Sequence, residues 1–451
     1  MNQRAVRLAR LRSPWIVVVV ALAAIAVWPL FARHREDAVR TESLPTMAPV
    51  TADYADRDRT IAFWERQSRK RVADDMVSPR QLATEYLQRY RERGDVGDVL
   101  RARAAARQSL RAQPRGNLGA DVALASVELT LHQFREALAE TRYVESYDPT
   151  DPQMKIREAS LDLELGNYAG AKRIIDALPP ASDFEAIPQD TLVTRYDELT
   201  GKLAQARTLF ERPTAFYNAQ FDAPAQQRAW FFFRSGELAF EAGDNDAALS
   251  FERRALEVFP NYVDATRAAA RFSCALERWS DCLKYATASA NVIPYPETLG
   301  YEADAQTALG DTAAAKITNE LIEAVERIGN QQRISDRLLA IYYSEHRLHR
   351  DDAYRIARRE LAVRDDVFTE DTLAWAAAMD GRWDEARTAI HKAARFDTEN
   401  SLLQYHAGAI AEHFGDRQEA KRRYERALAL NSHFHAVYAN DARARLAVLG
   451  S

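Results

Sequence analysis

The chain has 451 residues, of which 28% are charged and 47% hydrophobic, and its net charge is −5. Two cysteines in a chain of this length exclude a disulfide-built scaffold. Gly is scarce, while Ala, Leu, Arg and Glu are abundant, and no stretch shows the alternating pattern of a half-buried strand. The composition therefore favours an all-helical protein.

The N-terminal segment contains an unbroken apolar run over residues 15–31, flanked by Trp15 and Trp28. Seventeen helical residues would span roughly 26 Å, close to the thickness of a bilayer core. Basic residues precede the run without an acidic neighbour, whereas Glu36 and Asp37 accompany those that follow it. The charge asymmetry predicts a single-pass anchor with a cytoplasmic N-terminus and the rest of the chain outside the cytoplasm. A signal peptide cleaved near Ala32 and an inverted, cytoplasm-facing topology are the alternatives.

The rest of the chain repeats with a period near 34 residues. The last two full copies, 367–400 and 401–434, carry small or bulky residues in matching places. The matched pairs, each 34 positions apart, are Ala374 and Gly408, Gly381 and Gly415, Ala386 and Ala420, Ile390 and Tyr424, and Ala393 and Ala427. Upstream copies follow the same spacing, and about ten occur between Gln81 and His433. Each copy predicts two helices that approach closely at their small residues.

This pattern resembles the tetratricopeptide repeat (TPR) family from about residue 80 to the end. The resemblance implies an all-α solenoid, a right-handed superhelix of helix–turn–helix repeats (about ten). The apolar run places a single N-terminal transmembrane helix before this solenoid. More narrowly, the chain resembles bacterial membrane-anchored TPR proteins of unassigned role.

Breaks in the period divide the chain, most clearly where Pro213 and Pro224 interrupt it. The helix before this break is predicted to end at Pro213. The predicted segments are a cytoplasmic basic tail (1–13), a transmembrane anchor (14–32), a linker (33–55), an N-terminal capping helix (56–77), a first TPR sub-array (78–212), an irregular insertion (213–228), a second sub-array (229–435) and a C-terminal capping helix (436–451).

The resemblance also places particular side chains in the concave groove, because first helices line it in this family. The predicted binding residues are aromatic or Arg side chains, the types that carry binding energy at interfaces: Trp230, Phe233, Phe240, Arg267, Arg271, Tyr342, Trp375 and Tyr405. Arg267 and Arg271 lie four apart on one helix face and could hold a carboxylate. The competing interpretation is that the aromatic side chains pack between repeats.

No sequence motif indicates catalysis or a cofactor. Phosphate loops, nucleophile elbows and Cys–His signatures do not occur, so the prediction is a non-enzyme without a cofactor. Seven of the nine His lie between His346 and His435, which leaves a metal-dependent activity on the distal repeats as an alternative, although no recognised ligand spacing occurs. Cys274 and Cys282 flank one turn and are expected to be buried free thiols, with a local disulfide as the alternative.

These observations predict a membrane-anchored scaffold on the non-cytoplasmic side, with a protein or peptide partner in the concave groove. The resemblance implies that the membrane is a bacterial inner membrane and that the role is in envelope assembly, secretion or polysaccharide export. No nucleic acid or small-molecule substrate is implied, and the membrane contact is assigned to residues 14–32.

Overall fold

The computed structural model describes residues 52–70, 74–181, 183–220, 223–332 and 337–450. Within these ranges the regular structure consists of 22 α-helices and one short 3-10 turn, Ala394–Phe396. The helices are α1 (Ala52–Ser68), α2 (Val77–Arg93), α3 (Val96–Ala112), α4 (Leu118–Thr130), α5 (Phe134–Glu145), α6 (Pro152–Glu164), α7 (Tyr168–Ala177), α8 (Asp183–Leu199), α9 (Leu203–Ala219), α10 (Ala225–Glu241), α11 (Asn245–Val258), α12 (Val263–Ala275), α13 (Trp279–Val292), α14 (Pro296–Ala308), α15 (Thr312–Gln332), α16 (Arg337–His346), α17 (Arg350–Val363), α18 (Val367–Met379), α19 (Trp383–Ala393), α20 (Ser401–His413), α21 (Arg417–Leu430) and α22 (Tyr438–Leu449).

Helices α2 to α21 form ten consecutive pairs, in agreement with the number of repeats that the spacing predicts. Helix α1 precedes the first pair and α22 follows the last. Within a pair, small residues allow the close approach: a Cβ at Gly408 would lie 2.9 Å from the ring of Tyr424 on the partner helix. The same logic holds at Gly300, where a Cβ would lie 2.3 Å from the ring of Tyr342 in the next repeat. Each repeat therefore buries its core against its neighbours, as in other solenoids.

The break predicted at Pro213 takes a different form in the structure. Helix α9 continues through Pro213 to Ala219, so most of the segment expected to be irregular, residues 213–228, is helical. Proline fixes φ near the helical value, and its main cost is the missing N–H donor. Nearby side chains add bonds along this turn, because the Thr214 hydroxyl donates to the carbonyl of Phe210 (2.9 Å) and the Asn218 amide donates to the carbonyl of Thr214 (2.9 Å).

The solenoid coils back on itself, so that early repeats touch repeats about 200 residues later. The backbone N–H of Asp365 donates to the carbonyl of Glu164 (3.0 Å), and the backbone N–H of Val367 donates to the hydroxyl of Tyr168 (3.0 Å). One repeat later, the Thr398 hydroxyl donates to the carbonyl of Leu199 (2.8 Å). The first two bonds join the third pair to the start of the ninth, and the third bond joins the fourth pair to the linker before the tenth. One turn of the superhelix therefore takes about six repeats.

We call this line of contacts the seam. It joins the turns inside early repeats to the linkers that precede later ones. Its contacts are Gly94 with Ile293, Arg135 with Ala362, Glu164 to Tyr168 with Asp365 to Val367, Leu199 to Leu203 with Phe396 to Glu399, Phe240 to Asn245 with Leu430 and Asn431, and Glu277 with Asn440.

Three glycines make the seam possible. Gly166, Gly201 and Gly243 all have positive φ, between 75° and 77°. A Cβ at these positions would lie 2.4, 2.8 and 2.5 Å from backbone oxygens of Asp365, Phe396 and Leu430. Two features therefore require glycine at each of these positions: the left-handed backbone conformation and the close approach of the next coil.

No helix in the described ranges is long and apolar enough to cross a membrane. The predicted tail (1–13), anchor (14–32) and nearly all of the linker (33–55) lie outside those ranges.

Candidate binding cavity

The first helices of the pairs face the inside of the coil and surround a cavity of about 2170 Å³. Helices α6, α8, α10, α12, α14 and α16 supply nearly half of the wall. Drug-sized ligands occupy pockets of roughly 300–1,000 Å³, so this space suits a larger occupant.

Alternating charges run along the wall from α8 to α12. The pairs are Arg195 with Glu198 (2.8 Å), Glu198 with Arg234 (3.0 Å), Arg234 with Glu237 (2.6 Å), Glu237 with Arg271 (3.3 Å) and Arg271 with Glu241 (3.4 Å). We call these six residues the charge ladder. Their side chains are between 11% and 29% exposed, so each charge keeps some contact with the cavity.

The ladder perturbs the protonation of its members unequally. Burial raises the pKa of the Glu237 carboxyl, but Arg234 and Arg271 outweigh burial, and the pKa falls below its ordinary value. Glu241 is at the end of the ladder, where burial and the neighbouring Glu237 and Glu198 raise its pKa to about 7, against a smaller opposing effect of Arg271. Asn400 donates to Glu241 at 2.7 Å across the seam. Glu241 is therefore the acid in the ladder that titrates near neutral pH.

A second charged group lies beside the ladder, around Asp366. Burial opposes ionisation of this carboxyl, but Arg364, Arg337 and Arg195 lower its pKa to about 2. Arg364 pairs with both Asp366 (3.0 Å) and Glu164, and so connects the third and ninth pairs. Burial lowers the pKa of the Arg337 guanidinium, which also lines the cavity.

On α14 the wall is acidic. Glu297 accepts from the Tyr301 hydroxyl (3.0 Å) and pairs with Arg267 (3.2 Å). Asp304 pairs with His346 at 3.0 Å. Burial lowers the pKa of His346, but the bond to Asp304 more than offsets this effect and the pKa rises to about 9.

The structure separates the eight predicted binding residues into two groups. Trp230, Arg267 and Arg271 line the cavity. Phe240 lies behind this surface: the Arg271 guanidinium is 5.0 Å above its ring, and the side chain is 1% exposed. Both Arg residues already hold carboxylates of the chain itself, Arg267 those of Asp264 and Glu297, and Arg271 those of Glu237 and Glu241.

The other four predicted residues are buried in the core. Phe233, Tyr342, Trp375 and Tyr405 are 6%, 4%, 5% and 3% exposed. Trp375 donates to the hydroxyl of Tyr438 at 3.3 Å, and Tyr405 stacks on the same ring at 4.6 Å. A first helix also contacts the helices of the following pair. At these four positions the aromatic rings therefore pack between repeats and do not face the groove.

Sequence reasoning missed Arg195, Glu198, Arg234 and Glu241 of the ladder. A signal was present, since Arg195 and Glu198 recur 39 positions later as Arg234 and Glu237. The spacing departs from 34, which hid the correspondence.

Three histidines of the distal repeats are each paired with a different acid. Besides His346, His406 pairs with Asp371 at 3.0 Å and is buried, and His435 lies 3.8 Å from Glu345. In the described ranges no three His, Cys, Asp or Glu side chains converge as a metal site requires. Cys274 and Cys282 form a disulfide with Cα atoms 5.1 Å apart, so the expectation of free thiols was wrong.

Ten consecutive helix pairs, stacked into a closely packed coil, define a TPR-type solenoid. Solenoids of this class use their concave surfaces for binding. No family model matches the chain. One curated protein, "Cellulose synthase operon protein C" of Pseudomonas fluorescens (strain SBW25), is 27% identical over 232 residues. The match covers 51% of this chain and 17% of that protein, so the chain spans only a small part of its relative.

Two solved structures are also similar. Yeast Tom70 matches 81% of this chain and 96% of its own at 10% identity, with a TM-score of 0.33. PilW, titled a widely conserved type IV pilus biogenesis factor, matches 55% of this chain and 91% of its own at 16% identity, with a TM-score of 0.31. The assignment to the TPR class rests on the repeats of the chain itself.

Proposed function

We propose that this chain is a membrane-anchored scaffold that binds a segment of a partner protein inside its coil. The observation that carries the proposal is the cavity of about 2170 Å³, with the charge ladder on its wall. The ladder is internally paired, so it needs no counter-ion. Each Arg nevertheless has five N–H donors and each carboxylate about four acceptor sites, of which the pairs use only some. The wall therefore presents spare donors and acceptors in alternation, as a peptide backbone does.

The proposed location is the non-cytoplasmic side of a bacterial inner membrane, with residues 14–32 as the anchor. The apolar run and its preceding basic residues support this topology. The Cys274–Cys282 disulfide supports it independently, because disulfides persist in oxidising compartments. A reporter fused to the C-terminal end should be active only in the exported compartment. Activity only in the cytoplasm would favour the inverted topology.

Of the pathways that the sequence suggests, polysaccharide export has the added support of the similarity to a protein of a cellulose synthase operon. In this proposal the chain is a non-enzymatic assembly factor for the export machinery, and neither a cofactor nor a nucleic acid takes part.

Site-specific crosslinking in intact cells tests the binding role. A photoactivatable residue replaces Ser160, which lines the cavity, or Ser250, a half-buried residue of α11 that does not. We expect a defined protein adduct from position 160 that is lost on Trp230→Ala, and no such adduct from position 250. Truncating an aromatic anchor should cost about 2 kcal/mol of binding. The same adducts from both positions would contradict the proposal.

A further inference from the structure

We infer that the partner segment enters the cavity along the axis of the coil, and that it must be an unfolded polypeptide with a free end. This inference rests on the proposed function, but it concerns how the site is reached.

The seam closes the sides of the cavity. Successive coils touch at Gly94, Arg135, Gly166, Gly201 and Gly243, that is, in five consecutive repeats. Several contacts join backbone to backbone or backbone to a buried side chain, such as the bond from Asn431 to the carbonyl of Phe240 (2.7 Å). A ligand that entered sideways would have to break these bonds. Entry along the axis of the coil breaks none of these bonds.

Size excludes an ordinary folded domain. A domain of about 100 residues has a radius of gyration of about 13 Å, which corresponds to a sphere of roughly 20,000 Å³. The whole free space inside the coil is about 6070 Å³. An extended chain is narrow and advances about 3.3–3.6 Å per residue, so a segment of it needs far less volume than a folded domain.

The wall chemistry favours a polypeptide without strong net charge. Along the ladder each cation lies between carboxylates, so an anionic ligand gains from Arg234 what it loses to Glu198 and Glu237. Backbone amides and carbonyls, in contrast, match the spare donors and acceptors. Trp230, half-buried and packed edge-on to Phe231 (4.9 Å), offers an apolar surface beside the ladder.

Cysteine labelling of the full chain tests axial access without a known ligand. The two native cysteines are joined in the disulfide, so an introduced thiol reacts alone. Ser160→Cys places a thiol inside the coil, and the native Ser160 hydroxyl donates to the carbonyl of Ile156 in its own helix (2.8 Å). Ser250→Cys is the matched control outside the cavity. The probes are N-ethylmaleimide, a linear polyethylene glycol maleimide, and a maleimide carried by a folded domain.

We expect the small and linear reagents to label both positions. The folded reagent should label Ser250→Cys but react at least about tenfold more slowly with Ser160→Cys, because it reaches that thiol only when the coil opens. Adding Gly166→Ala and Gly243→Ala, which place a Cβ against the next coil, should remove this difference. Gly381→Ala and Gly415→Ala, where a Cβ would meet nothing within 4 Å, should preserve it.

Equal labelling of both positions by the folded reagent in the unaltered background would overturn axial entry. So would failure of the linear reagent to reach Ser160→Cys. Neither result depends on a partner. If the labelling pattern is as expected while position 160 yields no crosslinked protein in cells, the proposed function fails and the access route stands.

Discussion

The seam gives a sharp prediction about stability, because the chain offers glycines that share a conformation and differ only in what they face. Gly166 and Gly243 have φ of 75° and 77° and contact the next coil. Gly381 and Gly415 have φ of 80° and 79° and face open space. Replacing either pair by Ala imposes the same left-handed backbone cost, about 1–2 kcal/mol per residue.

Only the seam pair adds a steric cost. Its Cβ atoms would lie 2.4 and 2.5 Å from the carbonyl oxygens of Asp365 and Leu430, so the coils must separate. Overpacking of this kind costs about 1–3 kcal/mol per site. Separation also threatens the hydrogen bonds beside the glycines, each of which contributes about 1 kcal/mol. The seam pair should therefore lose about 2–6 kcal/mol more than the control pair.

Urea unfolding measures the difference in free energy, and small-angle scattering measures the opening of the coil. We expect a larger loss of stability and a larger radius of gyration for Gly166→Ala with Gly243→Ala than for Gly381→Ala with Gly415→Ala. If the two double variants lose equal stability and keep the same radius, the seam contributes nothing and the coil is held by nearest-neighbour contacts alone.

Three further predictions concern pH and redox state. The pKa of Glu241 is raised to about 7 in the fold, so the free energy of unfolding falls as pH rises from 4.5 to 7. Glu241→Gln should therefore be about 1–3 kcal/mol more stable than the parent chain at pH 8 and equally stable at pH 4. Thermal unfolding measured across this pH range tests the prediction. The pKa of His346 is raised to about 9, so the contribution of its pair with Asp304 is complete below pH 6.5 and disappears through pH 9; Asp304→Asn should lower the melting temperature at pH 6 but not at pH 10. The disulfide closes a loop with a sequence separation of 8, so reduction should cost about 2.5 kcal/mol by chain entropy, and unchanged urea unfolding after reduction would contradict this.

The sequence was sufficient to predict the repeat architecture, because the residues that specify it are local. Close packing within a pair needs small residues such as Gly408 opposite a large one such as Tyr424, and these recur in register. Ten helix pairs follow from counting such copies. The predicted end of the helix at Pro213 was wrong, since α9 continues to Ala219. Proline removes one backbone hydrogen bond from a helix, but the helix can continue through it.

The candidate site was predictable only in part. First-helix positions that face the cavity include Trp230 and Arg271, and the family pattern located both. The same pattern failed for Trp375 and Tyr405, because α22 packs on α20 and its Tyr438 covers both rings. Whether an aromatic residue on a first helix is exposed in the groove thus depends on what the following helix places over it. That is a property of two repeats together.

The seam was beyond sequence reasoning for a related reason. Gly166 and Gly381 have the same role in their own repeats, the left-handed residue of the intra-repeat turn, and nothing local distinguishes them. Gly166 meets another coil because about six later repeats return the chain to it, whereas no described residue lies within 4 Å of a Cβ at Gly381. The curvature that decides this is the sum of small rotations at every interface between repeats. Long-range closure therefore sets both the stability of the coil and the route by which a ligand enters it.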